Sequence, residues 1–119
     1  MTADELARAV VTAPGFRWMS GILVRATNSN AVSWRLVYDR HPETVGSPHY
    51  LDLTDPATAG CLLAMVYERW PLSFSRENTG EWTVHLNLLG EVDRPFEGRW
   101  FSGSTLGEAC ARALVEGPV

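Results

Sequence analysis

The stretch from Asp52 to Trp70 constrains the chain most, because its pattern fits a helix packed on more than one side and little else. Asp55 stands directly before Pro56. Proline fixes a helical φ, needs no amide donor in the first turn, and pushes the residue before it into the extended geometry of an N-cap. A helix is therefore expected to start at Pro56. Ala59, Leu62, Leu63, Val66 and Trp70 then share one stripe, and Cys61, Ala64, Met65 and Tyr67 leave only Thr58, Glu68 and Arg69 asking for water. This is the pattern of a central, buried helix, and it identifies a core without identifying a reaction.

Two further helices are marked by their ends. Thr2 with Glu5 and Thr105 with Glu108 have capping-box spacing, in which a hydroxyl and a carboxylate satisfy the first free amides. Leu6, Ala9, Val10 and Ala13 form a narrow stripe before Pro14-Gly15, and Leu106, Cys110, Ala113 and Leu114 form another before Gly117-Pro118. Between the helices the apolar period falls to two. Ile22 to Ala26 and Val32 to Tyr38 read as strands of a hairpin, with Thr27-Asn28-Ser29-Asn30 as the turn. Tyr50 to Leu53 reads as a short extended lead into the central helix, and Ser73 to Gly80 as a polar loop. Trp82, Val84, Leu86 and Leu88 alternate with Thr83, His85 and Asn87 in the plainest strand of the chain, and a partner strand is expected around Phe96 to Phe101. The order α-ββ-α-ββ-α predicts an α+β fold, an antiparallel sheet of two hairpins with helices packed on it, in one domain spanning residues 1–119.

Composition narrows the function classes. A net charge of −4, with no run of like charges, offers no specific signal for nucleic acid. All ten cationic side chains are arginine. No apolar run approaches the length of a membrane span, and Met1 is followed by an acidic helix-forming segment with no signal-peptide pattern, so a cytoplasmic protein is expected. Cys61 and Cys110 both fall on expected helices, outside any C-x-x-C spacing, and read as small core residues.

Catalytic and metal patterns are weak. His41, His49 and His85 have no second ligand at helical spacing, so no metal or cofactor is expected; His41, His49, Asp39 and Asp52 are the first places to look for one. Gly98, Gly103 and Gly107 match no phosphate-loop spacing. His49 and Asp52, with Ser47 nearby, could converge near the start of the central helix as a small hydrolase or transferase site. Tryptophan, by contrast, is abundant: five residues, of which Trp18, Trp70 and Trp100 directly follow Arg17, Arg69 and Arg99. Tryptophan and arginine are the side chains most enriched where binding energy concentrates. Trp34, Trp70 and Trp82 continue apolar stripes and are expected in the core. Arg17, Trp18, Arg99 and Trp100 lack such placement and are the candidate partner-binding residues.

Three pieces of the chain, Phe16-Arg17-Trp18-Met19-Ser20-Gly21, Asp55-Pro56-Ala57-Thr58-Ala59-Gly60-Cys61-Leu62-Leu63 and Gly103-Ser104-Thr105-Leu106-Gly107-Glu108-Ala109-Cys110-Ala111-Arg112-Ala113-Leu114, resemble a family of uncharacterised small proteins of tailed bacteriophages and prophages of GC-rich bacteria. That family commonly has Pro where Ser20 stands and Leu where Ala59 stands. The resemblance implies a viral protein acting in the host cytoplasm and carries over no catalytic residue. The expectation is a non-enzymatic accessory protein that binds a host or phage protein, an inhibitor of a bacterial defence component being one form. A small enzyme built on His49 and Asp52, and a homo-oligomeric virion or assembly component, are the alternatives.

Overall fold

The computed structural model describes residues 1–26, 33–42, 49–87 and 99–118. In chain order these form α1 (Ala3–Ala9), a 3-10 turn (Val10–Thr12), β1 (Leu23–Ala26), β2 (Ser33–Arg35), β3 (His49–Leu51), α2 (Pro56–Arg69), β4 (Leu72–Arg76), β5 (Trp82–Leu86), β6 (Arg99–Gly103) and α3 (Leu106–Glu116). The class is α+β. Every described strand pair is antiparallel, but the strands form two three-stranded sheets, ordered β2-β1-β3 and β4-β5-β6, where the sequence predicts one sheet of two hairpins. Two segments make the difference. The lead-in at Tyr50 pairs with β1, placing Leu51 opposite Val24, and the expected polar loop at Ser73 is β4, placing Phe74 opposite Val84. Composition misleads at β4 because three of its five residues are Ser or Arg. Pairing with a strong neighbour outweighs such local propensity. The last strand begins at Arg99 and reaches Gly103; the expected turn at Thr27–Asn30 and the expected strand residues 96–98 lie outside the described residues.

The caps form at the expected residues. Asp55 accepts from the Thr58 amide, Thr2 from the Glu5 amide and Thr105 from the Glu108 amide, each through its side chain. The reciprocal half of the second capping box is displaced by one residue: the Glu108 carboxylate takes the Ser104 amide at 3.1 Å and the Ser104 hydroxyl at 2.7 Å. The Thr105 hydroxyl is thereby free to donate to the Leu53 carbonyl at 2.8 Å, which ties the start of α3 to the end of the first sheet.

The helix packed on most sides is α3, not α2. Gly107, Ala109, Cys110, Ala111, Ala113 and Leu114 are buried, and α3 packs against α1, α2, β5 and β6. Small side chains let all these elements approach, and at Gly107 the Leu53 carbonyl oxygen comes within 2.3 Å of where a Cβ would lie. On α2 the buried set is Thr58, Ala59, Leu62, Met65 and Val66, while Leu63 is half-buried and Tyr67 is 69% exposed. Thr58, expected at the surface, is fully buried because its hydroxyl accepts the Leu23 amide at 2.8 Å and joins α2 to β1. One apolar cluster, including Leu6, Val24, Leu51, Leu62, Val84 and Leu114, runs through both sheets and all three helices.

Candidate binding surface

The second sheet has two faces of opposite character because successive side chains in a strand point to opposite sides. Leu72, Val84, Leu86 and Phe101 share the inner face, with Gly103 beneath the first turn of α3. The outer face carries two cross-strand rows. One is Ser75, Thr83 and Ser102, and the other is Ser73, His85 and Trp100. No residue of these rows bears a fixed charge.

Trp100 dominates that face. Its side chain is 61% exposed, and its ring lies on the imidazole of His85 with centroids 4.0 Å apart and planes 13° from parallel. The two residues are directly opposite each other on β6 and β5, so the strand register holds the rings together. His85 Nε2 is buried with no hydrogen-bond partner among the described residues. The arrangement is a flat aromatic plate on a strand, with the hydroxyl residues Ser73, Ser75 and Ser102 on the same face and Thr83 buried. Chemically it can stack against a ring or an apolar side chain and exchange hydrogen bonds at its border.

The other expected binding residues are placed differently. Arg99 is exposed but falls on the inner-face side, opposite Leu86, so Arg99 and Trp100 do not form one surface pair. Arg17 is engaged by Glu68 of α2 through both guanidinium ends, one bond at 2.7 Å, and that hydrogen bonding holds the Glu68 carboxyl below the ordinary glutamate range. Trp18 is partly buried against the core, edge-on to Phe16 at 5.1 Å and to His41 at 5.5 Å. Sequence periodicity sorts Trp18 with Trp100. In the structure Trp18 joins Trp34, Trp70 and Trp82 as a partly buried residue at the core margin.

The His49 region centres on Asp52. A cavity of about 210 Å³ lies beside α1, lined in part by Arg25, Tyr50, Asp52 and Thr54. Burial pushes the Asp52 carboxyl up, but hydrogen bonds from Thr54 and the Arg25 guanidinium at 2.9 Å outweigh it and leave the group below its usual range. Ser47 and the side chain of His49 lie outside the described residues, and with them the expected pairing of His49 with Asp52. Cys61 donates to the Ser20 carbonyl at 3.5 Å, and burial pushes the Cys110 thiol up to about 12, the reverse of an activated nucleophile. Among the described residues no three of His, Cys, Asp and Glu are grouped as a metal site, and no described helix is long and apolar enough to cross a membrane.

Compared with known proteins, the chain matches no family model, no curated protein and no solved structure.

Proposed function

We propose that this chain is a non-enzymatic binding protein that engages another protein through the outer face of the β4-β5-β6 sheet, with Trp100 as its anchor. The observation that carries the reading is the 61% exposed indole held flat on His85 by strand register. A rigid aromatic side chain loses little conformational freedom on binding and offers a large apolar area, the combination that concentrates binding energy in interfaces. The hydroxyl rows around it suit a polar rim that excludes water from the anchor. The sequence resemblance to small phage and prophage proteins supports a partner among host or phage proteins in the bacterial cytoplasm, and inhibition of a defence component is one form that such binding takes.

The test uses the two neighbouring residues that strand alternation separates. Tagged wild type, Trp100→Ala and Arg99→Ala are used to capture proteins from host lysate, and affinity for the recovered partner is measured by calorimetry. Trp100→Ala is expected to weaken binding by roughly 30-fold or more, a hot-spot loss of about 2 kcal/mol. Arg99→Ala, on the opposite side of the sheet, is expected to stay within about threefold of wild type. Equal binding by wild type and a folded Trp100→Ala variant would remove the outer face from the interface.

A further inference from the structure

We propose that the chain pairs with a second copy of itself through the open edge of β4, joining two second sheets into one continuous antiparallel sheet. The inference goes beyond the outer-face reading and stands on backbone geometry. Along β4 the hydrogen-bonded partners of β5 can be read from the two ends of the ladder: the Asn87 amide donates to the Pro71 carbonyl at 2.8 Å, and the Glu77 amide to the Glu81 carbonyl at 2.7 Å. Antiparallel ladders alternate, so Ser73 and Ser75 point their amides and carbonyls at β5. Leu72, Phe74 and Arg76 point theirs away, and β5 is the only strand beside β4 among the described residues. Three successive outward N–H and C=O pairs form a ready template for another strand.

Among the described residues, the devices that normally blunt such an edge are missing from its middle. Leu72 to Arg76 contains no proline, and its register against β5 runs through five pairs without a bulge. Phe74, at the centre, is 48% exposed, with its ring 6.4 Å from that of Trp82. The strand also complements itself. A two-fold axis at Phe74 places Phe74 opposite its own copy, Leu72 opposite Arg76 and Ser73 opposite Ser75, so all three outward residues exchange backbone bonds. Arg76 is the one charge on the strand, and this register sends the two copies to opposite ends, about 13 Å apart at the usual strand rise. That exceeds the roughly 8 Å screening length at physiological salt, so their repulsion is small. A two-residue slip that moves the axis towards Arg76 would halve the separation, and a slip in either direction would lose an outward pair. An extended segment of a different protein would meet the same template, but the placement of Leu72, Phe74 and Arg76 satisfies every requirement of self-pairing from this sequence alone. The axis is perpendicular to the sheet, so both Trp100 plates would face the same way.

Sedimentation velocity of the wild type, Phe74→Lys and Phe74→Cys tests this. The wild type is expected to move from monomer to dimer between micromolar and near-millimolar concentration. Phe74→Lys puts two ammonium groups opposite each other on the axis and is expected to raise the dimer dissociation constant by at least about tenfold. Phe74→Cys, in a Cys61→Ser background, is expected to form a covalent dimer under mild oxidation, because Cα atoms of a hydrogen-bonded pair lie about 5.5 Å apart, within disulfide reach. Ser75→Cys in the same background should cross-link far more slowly, since its two-fold mate is diagonal. A wild type that stays monomeric, a dimer that survives in folded Phe74→Lys, or equal cross-linking of the two cysteine variants would overturn the proposal. If Phe74→Lys does not fold, the cross-linking contrast decides alone.

Discussion

Arg35 and Asp55 meet end to end, with the guanidinium donating to both carboxylate oxygens at 2.8 and 3.0 Å, across the junction of β2 and α2. The same carboxylate caps α2 by accepting the Thr58 amide at 2.9 Å. The Arg35 bonds, followed by those from Thr58, hold the Asp55 carboxyl at about 2 in spite of its burial. A group whose folded value lies below its unfolded value stabilises the fold fully above the unfolded range. Its contribution then fades as pH falls through the ordinary carboxylate range towards about 2. Asp55→Ala is expected to cost about 1–2 kcal/mol at neutral pH, and Asp55→Asn, which keeps a capping oxygen, less. Urea midpoints measured from pH ~6 to ~2 check the linkage: the wild-type midpoint should fall more steeply than that of Asp55→Asn. Parallel acid limbs would show that the Arg35 pairing contributes nothing.

Two helix glycines should respond oppositely to alanine. At Gly107 an added Cβ would lie 2.3 Å from the Leu53 carbonyl oxygen and 3.1 Å from its carbon, and this is backbone that cannot swing aside. At Gly60, on the exposed side of α2, nothing lies within 4 Å. Gly107→Ala is expected to destabilise by about 2–3 kcal/mol through overpacking. Gly60→Ala is expected to stabilise by about 0.5–1 kcal/mol by lowering the entropy of the unfolded chain. Denaturant midpoints shifting in the same direction for both would contradict the close approach at Leu53.

The elements whose signals are local were legible in the sequence, and those set by partners were not. Asp55-Pro56, Thr2 and Thr105 cap helices because a cap needs only a side-chain oxygen and the next turn's amides. Strand β4 is hidden because Ser73, Ser75 and Arg76 outweigh Leu72 and Phe74 in composition, and only pairing with β5 reveals the period of two. The hub role of α3 is hidden because alanine and glycine carry little hydrophobic signal, yet they allow the closest packing. Of the candidate site, Trp100 was visible as an Arg-adjacent tryptophan without a stripe. Its stacking on His85 depends on cross-strand register, which no spacing within the chain encodes, and the same register separates it from Arg99.

Thr58 provides the sharpest test of how α2 is attached to the first sheet. By residue type it belongs at the helix surface, yet it is fully buried. The hydroxyl accepts the Leu23 amide at 2.8 Å and donates to Asp55 at 3.0 Å, so one side chain links the start of β1 to the cap of α2. Valine has nearly the same shape but leaves the Leu23 amide without an acceptor, and an orphaned donor in a part-buried site costs about 1–3 kcal/mol. Serine keeps the bond and loses one methyl group, which costs about 0.5–1.5 kcal/mol. Thr58→Val is therefore expected to be less stable than Thr58→Ser, although its apolar volume is larger, and to exchange the Leu23 amide proton faster than the wild type does. If packing alone anchors the helix, the order reverses: the valine variant matches or exceeds the wild type, and Leu23 exchange by NMR is unchanged.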